Sequence, residues 1–445
     1  MKNIFHWTLR LILLTNLFAC NSMLEEIPDR KLATPNSVKA LRAMMDEDFA
    51  INGSSNGLGE SSTDDYYLTT QDYEAIGLNQ RNLYTWQSDI GSEDAYMVMY
   101  RKINIANIVL ESLTDIRNAT PQELTTLKGE ALFVRANTLL ALAAVYTKPY
   151  LEEQATQEFG LILRKSSDFN VPSYRSTLKE TYDYIESDLL EASRLLPMES
   201  AHVHRANRLA AFSLMSRLHL IKSDYEAAER YADSVLANRN SLLDYNTLDS
   251  TLRYPMPPFN HEIIYHTQGA NGFTFSARAK IDTLLFDSYA PNDRRRTLFF
   301  FTNTDGSKRF KGSYVGGEQR FSGLALDEIY LTKAECLARG GKVSQAMDTL
   351  NQLLSKRYRL GFTAEVADDA TEALDIILNE RRKQLLMRDI RWQDIKRLNR
   401  EERYRKVLVR RIGDQLWELK PGENRFALPL PESVVEITGV PQNPT

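Results

Sequence analysis

The chain has 445 residues, 43% apolar and 26% charged, with a formal net charge of −4 and an isoelectric point near 6.0. Such a length can bury a large core and the composition is that of a globular protein, while the acidic balance leaves no global basic field to recruit nucleic acid or an anionic membrane. No phosphate loop or H-E-x-x-H occurs. Aromatic residues are numerous, with 21 Tyr, 18 Phe and 4 Trp, which fits either packed helices or a surface that binds through amphipathic rings.

At the N-terminus, Lys2 and Arg10 bracket a short positive region, and Leu11 to Ala19 is an apolar run too short to span a bilayer as a mature helix. It ends at Cys20. Leu17-Phe18-Ala19-Cys20 resembles a bacterial lipobox, with Phe18 where a small residue is usual. The resemblance implies a signal peptide over residues 1–19 and a lipidated Cys20, whose acyl chains would hold the protein at a membrane; the alternative is a buried cysteine. Residues 20–37 read as a tether. Cys336 falls on an apolar helix face, so no disulfide is implied, and no other run is long and apolar enough to cross a membrane.

The remainder, 38–445, reads as one domain. Val38–Phe49 is expected to be helical, followed by a Gly/Ser/Asn-rich stretch that ends in acids and tyrosines. Helices are expected over Glu93–Leu113, over Leu124–Tyr146 after the start signal Thr120-Pro121, over Leu178–Leu196 after Ser176-Thr177, and over Asn207–Ile221 and Tyr225–Ala237. Phe212, Ser216, Asp224, Tyr225 and Ala228 occupy the same relative positions as Tyr330, Ala334, Lys342, Val343 and Ala346. A ring, a small residue one turn on, a tight turn and an alanine form the pattern of a tetratricopeptide-type hairpin. The fold class is therefore mainly α: tetratricopeptide-like helix pairs over 93–240 and 324–400, carrying loop-rich regions at about 51–92 and 241–323. In the second of these, prolines and glycines break the helical period, rings are crowded, and short strands are expected at Glu262–His266 and Thr297–Phe301. The proline-rich end, Phe426 to Pro444, should lie extended on the bundle.

The stretch Asp375 to Arg400 has helical periodicity, with a break expected near Asp389, and is dense in arginine. Glu380, Asp389 and Asp394 alternate with Arg381, Arg382, Arg388, Arg391 and Arg397, which favours ion pairs inside the fold over a nucleic-acid strip. Sugar binding needs rings to stack on, with carboxylates, amides and guanidinia for the hydroxyls. Asp64, Asp65, Tyr66, Tyr67, Arg81, Tyr84 and Trp86 supply these types in one loop region, and Tyr289, Asn292, Asp293 and Arg294 in the other; Tyr84 and Trp86 suit the core equally well. A glycosidase reading could use Asp64-Asp65 or Asp287 with Asp293, and His202-x-His204 reads as a solvated turn with no third metal ligand in evidence.

In sequence order these segments resemble the SusD/RagB family, surface glycan- and nutrient-binding lipoproteins of Bacteroidota. Glu380-Arg381-Arg382, Leu385, Arg391-Trp392, Asp394-Ile395 and Arg397 keep step with the family's C-terminal helix, while Gln384, Arg388 and Asp389 stand where it favours Glu, Glu and Gly. Gly129 to Tyr146 is similar to its central helix, Pro172 to Pro197 follows its usual order, and Leu428-Pro429-Leu430-Pro431 with Gln442-Asn443-Pro444 is close to its chain end. The resemblance implies Glu380, Arg381, Arg391, Trp392 and Asp394 as structural residues; the candidate ligand contacts, Asp64, Asp65, Tyr66, Tyr67, Arg81, Trp86, Tyr289 and Arg294, come from residue type alone. It implies an outer-membrane lipoprotein without catalytic residue, cofactor or metal, which captures an oligosaccharide and passes it to a SusC-like TonB-dependent transporter. A scaffold that binds only proteins or peptides, and a glycoside hydrolase, remain the alternatives.

Overall fold

The computed structural model describes residues 35–53, 57–269 and 273–445; the expected signal peptide, Cys20 and the expected tether up to residue 34 lie outside them. Ten helices of eight or more residues carry the described chain: α1 Val38–Met45, α2 Glu93–Ser112, α3 Pro121–Tyr146, α4 Leu178–Leu195, α5 Arg208–Lys222, α6 Tyr225–Leu236, α7 Leu326–Arg339, α8 Val343–Leu354, α9 Ala370–Gln384 and α10 Arg391–Leu398. Six of these starts are set by side chains that accept the orphan amide protons of a first turn. Thr120 with Glu123 and Thr177 with Glu180 close capping boxes on α3 and α4. Asn207, Asp224 and Asp369 cap α5, α6 and α9.

Helix α3 is buried on nearly every side, between α2 and α4. At Gly129 the chain leaving α4 comes so close that an added Cβ would lie 2.9 Å from Leu196 Cγ, so this helix tolerates no side chain there. The α5/α6 hairpin turns at Ser223, whose φ of 62° is left-handed. Ser216 Oγ donates to the Ala228 carbonyl at 2.9 Å across that hairpin, and in α7/α8 the matching Ala334 and Ala346 are fully buried. The two hairpins are neighbours in space: Leu220, Tyr225 and Ala228 pack on Cys336, joining α6 to α7. Residues 241–323 are thus looped out of a continuous helical stack, and the tetratricopeptide-like arrangement is present.

Sheet among the described residues is limited to two-stranded antiparallel ladders. The expected strands appear as Ile263–Tyr265, paired with Leu324–Ala325, and Phe300–Thr302, paired with Lys308–Phe310; Thr297 belongs instead to the one-turn helix Arg295–Leu298. Two elements go beyond the sequence reading. Leu408–Ile412 and Gln415–Leu419 form a hairpin with Leu408, Arg410 and Ile412 facing inward. The proline-rich end is not wholly extended, because it includes a short helix, Glu432–Thr438. It also closes α3: the Leu428 amide donates to Val145 O and Asn443 Nδ2 to Tyr146 O, both at 2.9 Å, serving carbonyls that a helix end leaves unpaired.

Rings from the looped-out segment make a hydrophobic core of their own. Tyr245, Phe275, Tyr289, Phe299, Phe300, Phe310, Tyr314 and Phe321 are buried together with Tyr66 and Tyr84 from the N-terminal loop region. A segment with few helical faces has no apolar stripe to bury, and large rings replace it. Their crowding in the sequence marks that core and not an exposed stacking surface.

Candidate functional site

The two loop regions meet. Tyr66–Tyr67 pairs antiparallel with Lys280–Ile281, placing Tyr66 opposite Ile281 and Tyr67 opposite Lys280. Beside this ladder lies an open hollow of about 790 Å³, lined on one side by Thr69 to Asp72 and on the other by Arg278, Lys280 and Asn303 to Asp305. Lys280 Nζ bonds Asp72 at 2.6 Å across it. Tyr73, next to Asp72, packs 6.1 Å from Trp417 of the C-terminal hairpin, and the hairpin's Gly413 amide donates to Thr70 Oγ1 at 3.1 Å. The hollow is therefore rimmed by three separate stretches and offers hydroxyl, amide, carboxylate and guanidinium groups together, the mixture that sugar hydroxyls require.

Of the eight expected contact residues, most are turned inward. Asp65, Tyr66, Trp86 and Tyr289 are each no more than 1% exposed. Trp86 Nε1 donates to Ser62 O at 3.0 Å, the Tyr66 hydroxyl to Ser61 O, and the Tyr289 hydroxyl to Lys383 O at 2.8 Å. Asp64 is gripped by Arg391 through two bonds of 2.8 and 2.9 Å, and Asp65 by Arg382 at 2.9 Å. Burial disfavours the Asp64 carboxylate, but Arg391 and Arg382 outweigh it and hold its pKa well below the usual value. At Asp65 burial prevails and the pKa is raised. Arg294 fastens the Tyr245 and Leu248 carbonyls at 3.3 and 2.9 Å. Tyr67 and Arg81 stay partly open, with the Arg81 guanidinium 5.9 Å from the Tyr73 ring centre. These are corrections: acids and rings that look like a sugar platform in the sequence are ion-pair partners and core. Tyr66, Tyr84 and Trp86 also surround the buried Arg410 guanidinium at 5.5, 4.2 and 4.9 Å. The hollow's own Thr69, Thr70, Gln71, Arg278 and Thr304 were visible only as polar loop residues, a signal shared by every loop.

The arginine-rich stretch is built in at the joint between scaffold and loops. It breaks where expected, with Met387 and Asp389 in the left-handed region at φ 58° and 59°. Arg381 and Arg397 meet Asp394 at 2.9 and 2.7 Å, and Arg397 continues to Glu335. Glu380 bonds Arg295 Nη2 at 2.6 Å, and Asp293 shares that nitrogen at 2.7 Å. Two of the three departures from the family pattern share a cause. Gln384 accepts from Arg357 Nε at 3.1 Å and donates to Asp327 at 2.9 Å, a double role that a carboxylate could not fill. Arg388 bonds the same Asp327 at 3.1 Å, so Gln384 and Arg388 together accommodate one buried acid. Asp389 sits at the left-handed position, which a short polar side chain tolerates best after glycine, and its carboxylate reaches Arg320 at 3.2 Å.

His202 and His204 gain an unexpected neighbour. His204 Nε2 lies 3.1 Å from His266 Nδ1, and Phe259 meets all three rings edge to face. Among the described residues no group of three His, Cys, Asp or Glu side chains has a geometry able to hold a metal ion.

Residues 18–220 match a SusD-like family profile described as starch-binding and associating with the outer membrane, and residues 286–424 match the SusD family profile. No curated protein sequence matches the chain. Solved structures share its fold. A SusD superfamily protein from Bacteroides thetaiotaomicron, 19% identical, superposes with a TM-score of 0.73 over 92% of this chain and 100% of its own. A SusD-like carbohydrate-binding protein from Bacteroides vulgatus, 18% identical, gives 0.71 over 91% and 97%. A laminarin-binding SusD-like protein, 16% identical, gives 0.66 over 92% and 98%. With one helical stack, two profiles of a single family matched in order over most of its length, and the arginine-rich helices closing its core, the chain belongs to the SusD/RagB family.

Proposed function

We propose that this protein is a cell-surface binding lipoprotein that captures an oligosaccharide in the hollow between its loop regions and delivers it, unaltered, to a partner SusC-like TonB-dependent transporter. The observation that carries this reading is the pairing of Tyr66–Tyr67 with Lys280–Ile281, which brings polar groups from two distant stretches around one open hollow. Binding without catalysis is supported by the state of the candidate acid pairs: Asp64 and Asp65 answer Arg391 and Arg382, and Asp293 answers Arg295. None is placed as a free acid facing a free base across a cleft. The lipid anchor rests on the lipobox at Cys20, and no helix among the described residues is long and apolar enough to cross a membrane.

The chain starting at residue 21 should shift in affinity gels against at least one β- or α-glucan and leave its length unchanged; shortening of the glycan would make the protein a hydrolase. Arg278→Ala with Gln71→Ala should weaken that binding without lowering the melting temperature, since both side chains line the hollow and surface changes of this kind alter stability by about 0.5 kcal/mol or less. In cells, Cys20→Ala should move the protein from the membrane fraction to the soluble fraction. Retention in the membrane fraction would remove the lipid anchor from the proposal.

A further inference from the structure

A separate pocket of about 290 Å³ opens where α10 passes the C-terminal end of α3, and it shares no lining residue with the hollow. Lys396 forms its inner end and is 5% exposed. The ammonium donates to the carbonyls of Ala144 and Thr147, at the helix end where the aligned peptide dipoles leave partial negative charge. An ammonium has three donors, so two carbonyls leave one over. Burial alone draws its pKa down to about 7, as expected for a cation with no carboxylate beside it.

Three further groups point the same way. Asn399 is 9% exposed; its Oδ1 accepts from the Lys406 amide at 2.8 Å, while its Nδ2 has no partner among the described residues, a condition that folded interiors seldom leave unfilled. On the rim, among the described residues, the Arg400 side chain bonds only Ser223 Oγ, at 3.0 Å, and the Arg405 side chain only the Asn399 carbonyl, at 3.4 Å. The acids that line the pocket are already engaged, Glu158 by Lys148 at 3.0 Å and Glu423 by Arg425. Two guanidinia, the Lys396 amine and a buried amide thus converge on a space with no uncommitted carboxylate among the described residues, against an apolar wall that includes Phe426. A neutral ligand would need acceptors as well as donors, whereas an oxyanion needs donors and positive charge.

We infer that this pocket is a second binding site, for a compact oxyanion: the carboxylate of a uronic acid or a sulfate group. The inference does not depend on glycan capture at the hollow. The test is calorimetry at low ionic strength on the chain starting at residue 21, with galacturonate, inorganic sulfate and neutral galactose as probes. Saturable binding of galacturonate or of sulfate, with none of galactose, is expected, and the stronger of the two identifies the source. Arg400→Gln with Arg405→Gln changes only rim side chains and should weaken that binding by about tenfold or more, leaving neutral-glycan binding at the hollow as in the wild type. Lys396→Met should abolish it. Absence of saturable binding for both anions, equal binding of galactose, or an unchanged affinity in the double rim variant overturns the proposal.

Discussion

Replacing Asp394 by alanine will destabilise the protein by about 3–5 kcal/mol, the scale of breaking a buried ion pair by deleting one partner. Asp394 is 6% exposed and holds the Nε atoms of Arg381 and Arg397 at 2.9 and 2.7 Å. Without it, Arg381 keeps a hydroxyl, Thr332 Oγ1 at 3.3 Å, and Arg397 must share Glu335 with Arg339. Two guanidinia would then be buried with a single carboxylate. Because a domain is stable by only about 5–15 kcal/mol, most of its margin would go. Chemical denaturation should show a lower midpoint with the slope unchanged. The same pair has a pH signature. Burial opposes ionisation of Asp394, but Arg381 and Arg397 outweigh it and bring the carboxyl from 3.8 to about 2. A pKa depressed in the folded state gives stabilisation that is complete above the unfolded value near 3.8 and is lost as pH falls through about 2. The difference corresponds to about 2 kcal/mol, and Asp394→Asn should lack that part of the acid limb. Parallel acid limbs in the two proteins would mean that apolar packing alone holds α9 and α10.

The helices were legible because their signals are local. Thr120 with Glu123 and Thr177 with Glu180 sit three residues apart and specify a helix start wherever they fall, and the two hairpins repeat one spacing of ring, small residue and turn. The ion pairs were legible in kind but not in partner. Within the arginine-rich stretch only Asp394 and Glu380 pair locally, with Arg397 and Lys383. Arg382, Arg388 and Arg391 instead reach Asp65, Asp327 and Asp64, far away in the chain, and no local spacing encodes that choice. Asp64 and Asp65 therefore have the composition of ligand contacts, although the fold uses them for Arg391 and Arg382. The Leu408–Ile412 hairpin escaped because the charged Arg410 stands at an inward position, where alternation predicts an apolar residue; three carbonyls and three rings make that position habitable. A ring in a loop has the same composition whether it faces a sugar or a second core, and only the tertiary structure separates the two.

That separation is measurable at Tyr289. Tyr289→Ala will destabilise the protein by about 3–5 kcal/mol, as for other buried aromatic truncations. The ring is fully buried and meets Phe300 edge-on at 5.2 Å. The Arg295 guanidinium and the Lys383 ammonium lie 5.5 and 5.3 Å from its centre, and its hydroxyl satisfies the Lys383 carbonyl. Truncation would leave a void beside two buried cations and orphan that carbonyl, so the lost transfer energy, the cavity and the unpaired acceptor act in the same direction. The melting temperature should fall by several degrees, since about 1 kcal/mol corresponds to 2–4 °C in domains of roughly 200 residues. Glycan affinity of the fraction that remains folded should match the wild type. A variant that instead keeps its melting temperature and loses glycan affinity would place Tyr289 at the ligand, and the rings of the looped-out segment would then serve binding and not packing.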